Sequence, residues 1–383
     1  MKDKIEFVLA QFNAVVGDLD GNTDRIIKII EDNRSYGSHK IIVFPELALC
    51  GYMPEDLLFR KDFALEVKKS IDRIICHVGS DEYLIFGAPH YSENLLEIWN
   101  SAYLINNKNI TAIYDKQMLP NYGVFDEKRY FSKGKENFFF NFHGNKICIM
   151  ICEDLWNYSS ISNKDLDDID FLISINASPY ENNKDLERIN FFREIASVNK
   201  FNIIYLNTVG GQDEIVFDGS SFLIDREGNI KHKCNAFDEL IYKFSVEDKN
   251  FSVNCEYTND HKYNQYEYLY EALKIGTYDY IKKSNFDGVL LGLSGGIDSA
   301  LTLTIASDIF NKENIEAVLL PSVFTSDLSI QLAKEQCEIL SEGKWSDKIS
   351  LVKEKLEDFK KRPLTEEVVK DVFHIQQLLS EIK

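Results

Sequence analysis

The chain is 383 residues long, 44% hydrophobic and 27% charged, a globular composition with room for two ordinary domains, which excludes a mainly disordered protein. Its formal net charge of −19 repels phosphate backbones and anionic lipid, so no nucleic acid and no membrane is expected as partner, while small anionic ligands stay open through a local site. Seven cysteines, an odd number with no C-x-x-C pair, argue against a disulfide framework or a zinc ribbon. Residues 1–13, MKDKIEFVLAQFN, read as a strand and not a signal peptide, and no apolar run reaches bilayer length, so a reducing cytoplasm is the expected compartment.

Through residues 1–245 short apolar, β-branched runs alternate with helical stretches. Strands are predicted at 5–12, 40–44, 83–88, 101–105, 110–114, 146–151, 171–176, 202–209, 220–224 and 240–244, and helices at 22–33, 62–76 and 184–199. Residues 246–264 turn polar and lose periodicity, which reads as a linker. An amphipathic helix is predicted at 265–283, then a fully apolar, buried strand at 286–293, a turn at Ser294-Gly295-Gly296, an apolar helix at 300–310 and a strand at 315–320. That strand, turn, helix, strand unit implies a parallel sheet. Beyond residue 336 the sequence reads as charged helices broken at Pro363.

Three strands of the first domain end on a reactive side chain: the run at 41–44 leads into Pro45-Glu46, that at 110–114 into Asp115-Lys116, and that at 147–151 into Cys152-Glu153-Asp154. Strand ends in α/β sheets fix the backbone while leaving the side chain free to meet a ligand. The residue types suit acyl transfer: a thiolate nucleophile whose pKa a cation lowers, a carboxyl group that shuttles the proton, and a lysine that steadies the oxyanion. Each also has an ordinary reading, as a buried strand cysteine, a solvated lysine and a turn-capping carboxylate. Cys148 is not expected to replace Cys152, since it shares the same facing parity but lies about 13 Å back along the strand.

The wording around these residues goes further. FPELALCGYMPEDLL (44–58), YDKQMLPNYGVFDEKRYF (114–131), ICEDLW (151–156), NASPY (176–180) and DGSSF (218–222) resemble the nitrilase superfamily, and most of all its glutaminase branch fused to NAD synthetases. The resemblance covers essentially all of 1–245. It implies an α/β fold, specifically an α-β-β-α sandwich, with Glu46 as general base and acid, Lys116 as oxyanion stabiliser and Cys152 as nucleophile. It also implies that Tyr122, Glu153, Ser178 and Lys184 line a glutamine pocket, and that Glu127 is a second acidic residue that positions Lys116. Nitrilase-type domains commonly pair, so a homo-oligomer is expected.

A second constellation, Gly292-Leu293-Ser294-Gly295-Gly296-Ile297-Asp298-Ser299, comes after a strand and opens a helix. Backbone N–H groups in such a turn converge on an anion, glycine admits close approach, and the helix dipole adds to them. The kinase-type phosphate loop with its lysine is absent. The SGGIDS pattern resembles the loop of enzymes that split ATP to AMP and pyrophosphate, with Asp298 reaching Mg²⁺ on the phosphates. Residues 268–301 resemble NAD synthetases in particular, which implies ATP and nicotinic acid adenine dinucleotide as co-substrates beside glutamine. Residues 265–383 hold the opening of a doubly wound parallel-sheet domain without its later motifs, so a fragment or a degenerate synthetase is expected. The competing readings are a stand-alone amidase with a vestigial second half, and a non-enzymatic scaffold.

Overall fold

The computed structural model describes residues 4–34, 39–161, 168–253, 264–322 and 325–342. In chain order its elements are β1 (Ile5–Gln11), α1 (Leu19–Asp32), β2 (His39–Val43), α2 (Lys61–Ile75), β3 (Glu82–Tyr91), β4 (Ile98–Asn106), β5 (Asn109–Asp115), α3 (Glu127–Tyr130), β6 (Phe138–Phe142), β7 (Asn145–Ile151), α4 (Glu153–Trp156), α5 (Tyr158–Ile161) and β8 (Phe171–Asn176). Next come α6 (Lys184–Asn199), β9 (Asn202–Asn207), β10 (Val209–Gln212), β11 (Ile215–Asp218), β12 (Phe222–Ile224), β13 (Ile230–Lys233), β14 (Leu240–Glu247) and β15 (Asn250–Ser252). The last are α7 (Gln265–Lys283), β16 (Val289–Gly292), α8 (Ile297–Ile309), β17 (Ile315–Val318) and α9 (Asp327–Glu342). The chain divides into two units, 1–272 and 273–383, with the division inside α7.

The first unit holds a seven-stranded sheet, β15-β14-β1-β2-β3-β4-β5, and a six-stranded one, β13-β12-β9-β8-β7-β6. The central strands β1–β2–β3 and β7–β8–β9 run parallel and the flanks antiparallel. Parallel strands covered on both faces need apolar side chains at every position, and β2, β7, β8 and β9 are such runs. Between the sheets, Phe7, Leu9, Val43 and Ile85 meet Ile147, Ile149, Ile173 and Leu206. On the outer face of the larger sheet, Val8, Ala10 and Ile42 pack with Ile26 and Ile30 of α1 and Val67 and Ile71 of α2. On the outer face of the smaller, Met150, Leu172 and Ile203 pack with Ile189, Phe192 and Ala196 of α6. This is the expected four-layer α-β-β-α sandwich. Each fully buried Leu, Ile or Phe contributes about 1.5–3 kcal/mol, against about 0–1 kcal/mol for an exposed ion pair, so these three cores hold the strand ends in place.

Several boundaries differ from expectation. α1 starts at Leu19 because the Asp18 carboxylate accepts from Gly21 N at 3.0 Å and caps the first turn. The predicted strand at 202–209 breaks into β9 and β10. Part of the predicted linker is strand: β14 extends through Val246 and Glu247, and β15 pairs back on it across Asp248 and Lys249, both at positive φ. Phe251 secures that hairpin against Phe244 and Phe171. Residues 254–263 lie outside the described residues, as do the charged helices expected beyond 342.

In the second unit β16 and β17 pair in parallel, with α8 between them in sequence, as the strand, turn, helix, strand reading requires. Leu293, Leu303 and Ala333 form its small core. The predicted burial of the 286–293 strand does not hold: Leu290 is 68% exposed and Phe286 is exposed as well. Among the described residues this sheet has two strands packed on one small core, and alternate side chains of β16 point away from that core. No helix among the described residues is long and apolar enough to cross a membrane.

Candidate functional site

Four strand ends, β2 and β5 of the larger sheet and β7 and β8 of the smaller, carry the polar residues buried at one edge of the inter-sheet core. After β2 the chain runs along β3, with Phe44 N donating to Ile85 O and Gly87 N to Pro45 O at 3.1 Å. A Cβ on Gly87 would stand 2.2 Å from Leu47 N, so only glycine lets the Glu46 segment lie this close. After β5, Lys116 N donates to Asn100 O and Gly134 N to Lys116 O. A Cβ on Gly134 would stand 2.0 Å from Asp115 O. Backbone cannot move aside as a side-chain tip can, so Gly134→Ala is expected to cost about 1–3 kcal/mol, measured as a lowered melting temperature. An unchanged melting temperature would mean that the Lys116 segment is free to shift.

The side chains meet directly. Lys116 Nζ donates to Glu46 Oε1 and to Glu127 Oε1, each at 2.7 Å, and all three side chains are buried. Asn100 Nδ2 and Ala177 N donate to the two Glu46 oxygens, and Tyr52 OH donates to Glu127. Burial by itself would depress the Lys116 ammonium, but the facing carboxylates of Glu127 and Glu46 hold it well above the usual lysine range. Glu127 goes the other way. Burial and the Glu46 charge outweigh the attraction of Lys116 and raise its carboxyl group, and its buried Oε2 has no hydrogen-bond partner. Lys116 is therefore a charged, buried ion-pair lysine, not a solvated one.

Cys152 N donates to Ile175 O, which ends β7 against β8, and the residue takes φ +46° as the chain turns into α4. That value is costly for a residue with a Cβ. The turn also corrects the expected parity. Cys148 packs on the outer face with α6, whereas the kink swings Cys152 into the inter-sheet core. The expected lowering of the thiol pKa is corrected too. Burial is the largest influence and raises it, Glu46 adds to that, and Lys116 opposes but does not prevail, so the group rests well above the ordinary cysteine value. A neutral thiol beside an acceptor carboxylate can react only if its proton leaves as it attacks.

The residues expected to line a substrate pocket are only partly gathered. Tyr122, 59% exposed, donates from its hydroxyl to Glu153 Oε2 at 3.0 Å. Ser178 is buried beside Ala177, and Asn207 clamps it by accepting from Ser178 N and donating to Ser178 O. Lys184 lies 5.1 Å above the Trp156 ring at the end of α4 and pairs with Glu187, contacts that bring in none of Tyr122, Glu153 and Ser178. Sequence reasoning passed over Tyr52, Asn100 and Asn207 as functional residues. Tyr52 lies within the 44–58 motif, but nothing marks Asn100 in a strand or Asn207 at a strand end.

The glycine turn in the second unit forms a small hydroxyl-braced loop. Ser294 Oγ and Ser299 Oγ stand 3.1 Å apart, Gly296 N donates to Ser294 Oγ, and Ser299 Oγ donates to Gly296 O. Gly295 sits at φ +81°, and a Cβ there would stand 2.1 Å from Ser329 O. Gly292, Ser294 and Gly296 are exposed, as are Ile297 and Asp298 on the first turn of α8, while Leu293 is buried beneath. Among the described residues no group of three or more His, Cys, Asp or Glu could hold a metal ion. Asp298 offers a single carboxylate, which suits a Mg²⁺ that brings its other ligands as phosphate oxygens and water.

Residues 9–245, well over half of the chain, match the carbon-nitrogen hydrolase family. The chain belongs to that family. Residues 269–373 match the NAD synthase family. This carbon-nitrogen hydrolase chain is 35% identical over 333 residues to a glutamine-dependent NAD(+) synthetase of Acinetobacter baylyi, covering 86% of this chain and 60% of that protein. A glutamine-dependent NAD(+) synthetase of Aquifex aeolicus is 36% identical over 365 residues, covering 86% of this chain and 63% of the relative. The solved structure of glutamine-dependent NAD+ synthetase from Acinetobacter baumannii in complex with adenosine diphosphate superposes with a TM-score of 0.82 at 35% identity, covering 88% of this chain and 63% of that one. The chain thus spans less than two thirds of these relatives' length.

Proposed function

We propose that the chain is the glutaminase and the opening synthetase segment of a glutamine-dependent NAD synthetase. The observation that carries the first half is the buried Lys116 ammonium bridging Glu46 and Glu127 at 2.7 Å beside the Cys152 turn. In this reading Glu46 takes the Cys152 proton as the sulfur attacks the glutamine amide carbon, and Lys116 steadies the oxyanion. Glu46 then protonates the leaving nitrogen, ammonia departs, and a thioester remains. Water, activated by the same carboxylate, releases glutamate. Tyr122, Glu153, Ser178 and Lys184 hold the substrate, with Glu153 suited to its α-amino group.

The second half rests on the match of residues 269–373 and on the braced turn. Gly292, Leu293, Ser294, Gly295, Gly296, Ile297, Asp298 and Ser299 hold the pyrophosphate of ATP, with Asp298 toward its Mg²⁺. The carboxyl group of nicotinic acid adenine dinucleotide attacks the α-phosphate and displaces pyrophosphate; ammonia then displaces AMP to give NAD. We assign the first chemistry to 1–245 and the second to 265–383. A stand-alone amidase is the less favoured reading, because it leaves the second match without a role. We place the enzyme in the cytoplasm as a homo-oligomer, in keeping with six free cysteines among the described residues and with the pairing common to nitrilase-type domains.

The test supplies glutamine, ATP, Mg²⁺ and nicotinic acid adenine dinucleotide and measures glutamate and NAD separately. These 383 residues are expected to release glutamate but to form little NAD, since they span less than two thirds of the length of the relatives named glutamine-dependent NAD(+) synthetases. A chimera completed with the C-terminal portion of the Aquifex relative is expected to form NAD from either glutamine or ammonium. Faster turnover of simple aliphatic amides than of glutamine, together with no NAD from that chimera, would favour the amidase.

A further inference from the structure

Two residues after Cys152, the Asp154 side chain is wholly buried. Its Oδ1 accepts from Gln117 N at 3.0 Å and Met118 N at 2.7 Å, the two backbone donors just after Lys116. Its Oδ2 accepts from Ile151 N at 3.2 Å, just before Cys152, and from Tyr114 OH at 2.8 Å, two residues before Lys116. One carboxylate thus ties the end of β7 in one sheet to both flanks of Lys116 in the other. No backbone ladder joins those two strand ends, because β5 and β7 belong to different sheets.

We propose that Asp154 is a positioning residue that fixes the Cys152 turn against Lys116. It rests on the reading of Cys152 as nucleophile and adds a residue to it. Four donors on a single buried carboxylate are more than a turn cap requires, and the geometry of attack depends on the distance this carboxylate sets. Burial pushes the Asp154 carboxyl up to about 6, against the pull of Lys116 and of the donors Tyr114, Met118 and Ile151, so at pH 8 it is ionised and can accept all four bonds.

Asn is the informative replacement. Its amide nitrogen, turned toward the Oδ1 side, would face two backbone N–H groups. Turned toward the Oδ2 side, it faces one N–H, from Ile151, and a tyrosine hydroxyl that can rotate and accept. The second arrangement wins, so Asp154→Asn keeps the hold on the lysine segment and loses the tie to the nucleophile strand. The expected result is a fall in kcat for glutamine hydrolysis on the order of a hundredfold with KM little changed, as for a reacting atom displaced by about 1 Å.

The second readout needs no substrate: iodoacetamide alkylation of Cys152, mapped by peptide mass at pH 8, with exposed Cys76 as internal reference. In Asp154→Asn the Cys152 rate is expected to drop by on the order of tenfold while Cys76 is unmoved. A folded Asp154→Asn with parental kcat and parental Cys152 alkylation, and only a lowered melting temperature, overturns the proposal. A rise in KM with unchanged alkylation overturns it too. If Asp154→Asn fails to fold, Tyr114→Phe decides, since it removes one donor from Oδ2 and leaves the carboxylate in place. A severalfold lower Cys152 alkylation rate then supports the clamp, and a parental rate overturns it. If the parent is alkylated at Cys152 but does not hydrolyse glutamine, the glutaminase reading fails while the alkylation comparison still judges Asp154.

Discussion

Cys152→Ala is expected to abolish glutamate release, by on the order of a hundred-thousand-fold or more, as when the nucleophile of an acyl-transfer enzyme is removed. No other thiol among the described residues can take its place. Cys148 lies on the same strand but packs on the outer face of the sheet with α6, whereas Cys152 faces the inter-sheet core. Cys234 and Cys50 are buried where no lysine or carboxylate acts on the thiol, Cys76 is exposed at the end of α2, and Cys337 lies on α9 of the second unit. Cys148→Ala should keep activity in proportion to its folded fraction. The backbone gives a second, independent readout. Alanine retains the Cβ that is strained at φ +46°, whereas glycine does not. Cys152→Gly is therefore expected to melt at or above Cys152→Ala, with both inactive. Substantial glutamine turnover by either variant, or loss of activity in Cys148→Ala alone, would remove Cys152 from the role.

How much of the fold and site the amino-acid sequence displays depends on how far apart the interacting groups lie. Strands such as β2, β7 and β8 are legible because parallel strands buried on both faces are continuous apolar runs. β6 is not: its burial alternates, and its run of phenylalanines lies on a sheet edge. β15 is three residues held by one aromatic cluster, a tertiary effect that a polar stretch does not announce. The trio itself is legible as wording, since each member closes a strand. Its electrostatics are not. Whether Lys116 is solvated or buried depends on Glu46 and Glu127 arriving from other segments, and whether Cys152 faces the helices or the other sheet depends on one positive φ. The sign of the Cys152 shift is hidden for the same reason: spacing displays the neighbouring cation, while burial, which dominates, belongs to the packed sandwich. The placement of Asp154 lies wholly out of reach, because its four donors come from two sheets.

Lys116→Met separates these effects. Loss of an oxyanion donor is expected to lower kcat by on the order of a hundredfold or more. The same change leaves two buried carboxyl groups without their shared cation, and breaking a buried pair costs about 3–5 kcal/mol, far more than any exposed lysine. The pH dependence fixes the cause. In the parent, Lys116 is raised in the folded state, so its contribution is fully present below the ordinary lysine pKa and persists through neutral pH, to be lost only as pH rises through the folded value. Glu127 is also raised, by burial first, so the stability it contributes is present at acid pH and declines as pH rises through its folded value. Without Lys116 the attraction that opposes this rise is gone, and Glu127 moves higher still. The melting temperature of Lys116→Met is therefore expected to fall more steeply than that of the parent between pH 5 and pH 8, with the two curves closest at the acid end. Thermal unfolding across that range, monitored by circular dichroism, makes the measurement. Parallel curves would show that the carboxyl groups find another cation, and parental kcat with a parental melting temperature would return Lys116 to an ordinary charged residue.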